Sequence, residues 1–340
     1  MAGERDARRT QRTAPALGAV LGVVLLLGAG AARGIEFEPP PPPTEERVSG
    51  ITPEGIRLYR LPADWRSSSG GIDQKAIVEQ QKKRCEAIND ALGLDLQMAE
   101  TPHYLIFSNA SPAVSRNFYK WCEALYRNLT KQFGLSSSEK VWDGKCILIL
   151  FHYRRQFESY ARRYDGMLAA SRAGAYFGIE AHGPGQPNLT HICVPMDTDD
   201  PRRLQELFAH EGTHAFFELY KTQGNLPLWL HEGLAEFMTT VNDKELRPAK
   251  WKPAAQVAQS GRSISGIFDV PMGGMLSVTQ YRVALTLVDF LLKAGRQKFK
   301  KFVDNLKDGM SQEEALQDAY GWTFKDMEAR WRIYVTRAEP

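Results

Sequence analysis

His210-Glu211-Gly212-Thr213-His214, followed by Leu228-Trp229-Leu230-His231-Glu232-Gly233-Leu234-Ala235-Glu236-Phe237, decides how this sequence reads. Both stretches predict helices. Side chains four apart on a helix lie about 40° from each other on one face. His210 and His214 can therefore reach one cation at about 2.1 Å, the usual Zn–N distance. Glu211 points to the adjacent side, where a carboxylate can hold and deprotonate a metal-bound water. A hydrolytic zinc site needs a third protein ligand and an open fourth position. The longer H-E-x-x-H-x-x-G-x-x-H arrangement is absent, because Phe217 and Tyr220 fill its glycine and third-histidine slots. Glu232 lies on the next expected helix, after a turn containing Gly224, Asn225 and Pro227. That helix returns alongside the first, so Glu232 can supply the missing carboxylate. Glu236, one turn on, shares its face and can hydrogen-bond the other N–H of a ligating imidazole. His231 is rotated about 100° from Glu232 and is read as a substrate-side or solvated residue.

On the C-terminal side of Pro201 the pattern is helical almost throughout, with expected helices at about 202–220, 228–241, 277–294, 297–307, 312–319 and 324–337. The Pro- and Gly-rich segment 242–275 lacks clear periodicity and is expected to be a long loop or a substrate-side excursion. On the N-terminal side the chain alternates. A charged helix is expected from Asp73 to Leu92, a strand at Tyr104-Leu105-Ile106-Phe107 and a helix over 113–133. A buried strand follows at Cys146–Phe151, then a helix at Arg155–Tyr164. Residues 174–180 and 191–195 flank a turn-rich segment and predict a hairpin or β-loop-β excursion. The fold class is α+β: a small mixed-sheet upper lobe followed by a mostly helical lower lobe. His182 and His191 flank the excursion as expected surface residues. Phe216, Phe217 and Tyr220 are helix-packing material.

Across 340 residues, 43% are hydrophobic and 24% charged, the composition of a globular protein rather than a disordered one. The net charge of +3 excludes a strong nucleic-acid footprint. Arg5, Arg8, Arg9 and Arg12, against Glu4 and Asp6, hold most of that excess. The uncharged run Thr13–Ala32 has an apolar heart from Ala19 to Leu27 and ends in small residues, as a signal peptide does; an uncleaved membrane anchor is the alternative. Export to the periplasm or exterior follows, with possible membrane attachment through residues 13–32. The expected organisation is a signal or anchor at 1–32, a linker at 33–72 containing the prolines 39–43, an α/β lobe at 73–200 and a helical catalytic lobe at 201–340. Cys85, Cys122, Cys146 and Cys193 form no C-x-x-C pair, which argues against a Cys-ligated zinc. Disulfides and buried thiols both remain open.

The two motif helices resemble those of the gluzincin metallopeptidases, the thermolysin and aminopeptidase N clan. The second element of that clan reads W-L-N-E-G-x-A, and here only the Asn is replaced, by His231. The pattern is also similar to exported bacterial gluzincin-like domains, with Tyr281-x-x-Ala284, Gly321-Trp322 and Glu328-x-x-Trp331 downstream. The resemblance implies a zincin-like fold and one zinc per chain, held by His210, His214 and Glu232. It implies Glu211 as general base, Glu236 behind the ligands and a peptide or protein substrate. Tyr281 fits the clan's oxyanion-stabilising phenol, or else is a core tyrosine heading the stripe Ala284, Leu285, Val288, Leu291 and Leu292. No G-x-M-x-N motif is evident, so exopeptidase specificity does not carry over. A zinc-retaining but non-catalytic peptide- or envelope-binding module is the rival reading; intact Glu211 speaks against it.

Overall fold

The computed structural model describes residues 73–136, 140–167, 170–180, 187–222 and 224–338. The expected signal or anchor, the linker and His182 lie outside them. Helix α1 (Gln74–Leu92) starts where the Asp73 carboxylate accepts the Lys75 and Ala76 N–H groups. Strands β1 (Gln97–Glu100) and β2 (Tyr104–Ser108) follow, then α2 (Pro112–Phe133), β3 (Cys146–Phe151) and α3 (Arg154–Tyr164). Strands β4 (Tyr176–Glu180) and β5 (Leu189–Pro195) complete one five-stranded sheet in the order β1-β2-β3-β5-β4. β2, β3 and β5 run parallel, while β1 and β4 pair antiparallel on the edges. The sheet is therefore mixed, and the turn-rich segment does join an antiparallel pair. β1 went unread because it is a short edge strand of Gln97, Met98, Ala99 and Glu100, largely exposed and without an apolar run.

Alternate strand residues face opposite layers, as the pleat requires. Leu105, Phe107, Ile147, Ile149 and Cys193 pack under α1 and α3 with Ile88, Phe157 and Tyr160. Tyr104, Ile106, Leu148, Leu150, Ile192 and Val194 face the other way, into the larger core with Phe118, Leu125 and Phe208. All four cysteines are buried, and Cys122, Cys146 and Cys193 are free thiols.

His191 departs from its expected surface place. It is 2% exposed, and its Nε2 lies 2.9 Å from Asp165 Oδ2, which also accepts the Tyr176 hydroxyl at 2.5 Å. Gly178 makes room for it, since a Cβ there would lie 2.5 Å from His191 Cε1. Burial opposes ionisation of Asp165, but His191 and Tyr176 outweigh it and hold the carboxyl below its ordinary range. Cys193 lies close enough to share a cation with Asp165 and His191. Those polar atoms already satisfy one another, so the cluster is a tie between β4, β5 and the end of α3.

The lower lobe comprises α4 (Pro201–Leu219), α5 (Leu228–Asn242), α6 (Arg247–Ser260), α7 (Val278–Ala294), α8 (Arg296–Lys307), α9 (Gln312–Tyr320) and α10 (Phe324–Arg337). Helix α6 corrects the expectation of a long loop over 242–275. Pro248 sits in its first turn, where a missing N–H costs nothing. Trp251, Ala254 and Ala258 form a narrow buried stripe, interrupted in the sequence by Pro253 and by a buried lysine, Lys250. Charge at a core position hid the helical period.

Candidate metal centre

Helix α4 begins at Asp200, whose carboxylate accepts the Arg202 N–H, with Pro201 at its first position. By its third turn it is buried on all sides between the sheet and the other helices, and there it carries His210, Glu211 and His214. Helix α5 lies against α4 on one side and α7 on the other. Gly233 permits the second approach, because a Cβ there would lie 2.7 Å from the Ala284 carbonyl oxygen. The glycine of the W-L-H-E-G stretch thus sets how deeply α5 sits, and Glu232 beside it is carried to the level of the two histidines.

Three ligand atoms converge. His210 Nε2 and His214 Nε2 lie 3.0 Å apart, and each is 3.4 Å from Glu232 Oε2. Atoms bound about 2.1 Å from one tetrahedral ion are about 3.4 Å from each other. Two edges of the triangle match that spacing and the third is slightly short. No protein hydrogen bond satisfies Glu232 Oε2 or either oxygen of Glu211, although all are buried. Two imidazole nitrogens and a carboxylate oxygen turned toward one point, 3.0 to 3.4 Å from one another, are the donor set of a divalent transition metal such as zinc. The residues fit the ion that the motif implies.

Electrostatics agree with that arrangement. Burial opposes ionisation of Glu232, yet His214 and His210 hold its carboxyl well below its ordinary value. Burial pulls His210 down, but Glu232, Glu211 and Glu236 raise it overall. His214 is lowered, chiefly by burial. Burial pushes the Glu211 carboxyl up to about 8; His210 opposes that shift and Glu232 adds to it.

Glu236 Oε1 lies 3.6 Å from His210 Nδ1, on the side of the imidazole away from the ligand triangle. Its other oxygen meets Lys250 Nζ at 2.9 Å and the Arg282 guanidinium. Neither cation was singled out from sequence. Tyr281 is half-buried, packed against the larger core and within the field of the site. Burial, then Glu232, Glu236 and Glu211, hold its phenol well above the ordinary range, so it stays protonated. Of the two expected places for His231, substrate-side or solvated, the structure excludes the solvated one. His231 is buried, its ring lies 4.2 Å from that of His214, and burial followed by His214 pushes it well below its ordinary value. Phe177 of edge strand β4 stacks on His214 from the sheet side at 5.6 Å. Only the register Phe177↔Ile192, invisible in the sequence, turns it toward α4.

A sheet lobe above a helical lobe, with H-E-x-x-H on one helix and a convergent glutamate on the next, is a metallopeptidase-type fold. Residues 181–337 match the Peptidase MA superfamily, which bears out the gluzincin resemblance over that segment. No curated protein matches the chain. Among solved structures it is similar to the M1 zinc metallopeptidase from Deinococcus radiodurans, with 14% sequence identity and a TM-score of 0.39. That similarity covers 72% of this chain and 53% of the other, so the chain spans about half that enzyme's length.

Proposed function

We propose that this chain is a zinc-dependent peptidase that hydrolyses peptide bonds with Glu211 as general base. The observation that carries the proposal is the convergence of His210, His214 and Glu232 on one point, with the buried Glu211 carboxylate beside it. His210, His214 and Glu232 would hold one zinc per chain, which supplies Lewis-acid polarisation of a water and of the scissile carbonyl. Glu211 takes the water's proton at its carboxylate and returns it to the leaving amine. The Tyr281 phenol, kept neutral, donates a hydrogen bond to the oxygen that becomes negative in the transition state. Glu236 orients His210 from behind. β4 lies on the edge of the described sheet, so its outer backbone groups suit an extended peptide better than those of β5, which is paired on both sides. Peptides or proteins are the substrates in this reading.

The test is cleavage of an unbiased peptide library by the wild type and by Glu211→Gln, with zinc measured in both. Glu211→Gln keeps the shape but removes the base. Zinc should stay while activity falls by at least about two orders of magnitude. Equal activity in the two proteins overturns the role of Glu211. A wild type that binds zinc and library peptides but cleaves none favours the binding-module alternative.

The proposal includes export through residues 13–32, by a cleaved signal or as an uncleaved anchor. Among the described residues no helix is long and apolar enough to cross a membrane. Fractionation of cells, with N-terminal sequencing of the mature chain, separates the two routes; a full-length chain in the soluble cytosolic fraction overturns both.

A further inference from the structure

We propose that Lys250 is a positioning residue of the metal centre, clamping Glu236 so that this carboxylate presents its free oxygen to His210. The inference rests on the zinc-site reading above and concerns residues that neither motif contains. Lys250 comes from α6, is 5% exposed, and is surrounded by acceptors. Its ammonium lies 2.6 Å from Glu206 Oε1, 2.9 Å from Glu236 Oε2 and 2.8 Å from Thr239 Oγ1. The Thr239 hydroxyl donates to the Glu236 carbonyl at 2.7 Å, so it can only accept from the lysine. All three ammonium protons therefore have distinct partners.

Burying a lysine is unfavourable unless its charge is matched. The match here is specific: Glu206 and Thr239 fix the ammonium, and Glu236 receives it. Arg282 of α7 meets the same oxygen, Oε2, from a second direction. Two cations on one oxygen leave Oε1 as the atom that faces His210 Nδ1 at 3.6 Å. At this distance Oε1 makes no hydrogen bond to Nδ1; its charge favours the tautomer with the proton at Nδ1, which leaves the Nε2 lone pair for the metal. The cations also offset a third buried carboxylate beside Glu211 and Glu232, which would otherwise repel one another. Without the clamp, either oxygen of Glu236 could turn away from the imidazole.

The experiment is a double-mutant cycle read as zinc affinity, measured by chelator competition on the full chain at one pH. Lys250→Met and Glu236→Gln should each lower affinity by roughly ten- to a hundredfold. The double variant should be no weaker than Glu236→Gln alone, because the lysine acts through that carboxylate. The visible spectrum of the cobalt(II)-loaded protein should shift in Lys250→Met and not shift further in the double variant. Arg282→Gln, at a more exposed position, provides a second arm should Lys250→Met fail to fold. It should lower affinity by a smaller factor that also vanishes in the Glu236→Gln background. Losses that multiply, or an unchanged cobalt spectrum in Lys250→Met, reduce the lysine to a packing role and overturn the inference. A wild type without zinc affinity overturns the metal site itself; a wild type that binds zinc while its lysine variants keep full affinity overturns the clamp alone.

Discussion

Replacing Gly233 by alanine disturbs the ligand geometry without touching a ligand. The new Cβ would lie 2.7 Å from the Ala284 oxygen, 2.9 Å from its carbonyl carbon and 3.0 Å from Val288 Cγ2. Two of these atoms are backbone of α7 and cannot rotate aside. Restoring ordinary contact requires α5 and α7 to part by about 0.7 Å. Overpacking of this kind costs about 1–3 kcal/mol, and the better helix propensity of alanine returns about 1 kcal/mol. The net loss should be about 0–2 kcal/mol, or up to roughly 8 °C in Tm for a chain of this size. Glu232 precedes Gly233 and moves with it. Metal–ligand distances tolerate about 0.2 Å, so zinc affinity should fall more than tenfold. Circular dichroism melts of the metal-free protein and chelator competition on the zinc form measure the two effects separately. An unchanged or higher Tm, together with unchanged zinc affinity, refutes the close approach of α5 and α7 and its role in placing the third ligand.

Alanine substitution at three neighbouring positions should grade their roles in a zinc competition titration. Glu232→Ala should lose most of the affinity, Glu236→Ala roughly ten- to a hundredfold, and His231→Ala little, since His231 lies outside the ligand triangle. Lys307 Nζ donates to the Phe217 and Glu218 carbonyls at the end of α4 at 2.7 and 3.2 Å, while burial pulls its pKa from 10.5 down to about 8, opposed by Glu218. Between those values the unfolded chain binds the extra proton, so stability should rise with pH across that window and be level below it. The rise should reach up to about 3 kcal/mol relative to Lys307→Met, and identical urea-unfolding slopes against pH for the two proteins would refute it. Trp331 is fully buried and its Nε1 donates to Thr286 Oγ1 at 3.0 Å. Trp331→Ala should cost about 3–5 kcal/mol in equilibrium unfolding; a loss under about 1 kcal/mol contradicts the packing of α10 on α7.

The H-E-x-x-H helix was legible because its chemistry fixes a spacing, and Glu232 because the turn length fixes the return of α5. β2 and β3 showed as short apolar runs, since a sheet covered on both faces leaves no room for polar alternation, and the pair β4–β5 through the turn-rich segment between them. What escaped was carried by tertiary context. β1 has no apolar signature, being an edge strand. Helix α6 buries Lys250 on its inner face, so the residue that interrupts the pattern is the one that meets Glu236. His191 reads as a surface histidine because it sits next to a turn, and His231 as substrate-side or solvated because it adjoins the motif; the fold buries one against Asp165 and the other against His214. Arg282, adjacent to Tyr281, had no local signal, because its partner Glu236 lies far away in sequence.

Zinc stoichiometry tests the central claim most directly. Metal analysis of the purified and zinc-reconstituted full chain, beside His214→Ala prepared identically, should give about one zinc per chain in the wild type and none held tightly in the variant. A wild type that takes up no zinc, or a His214→Ala protein that still binds a full equivalent, contradicts the site built from His210, His214 and Glu232.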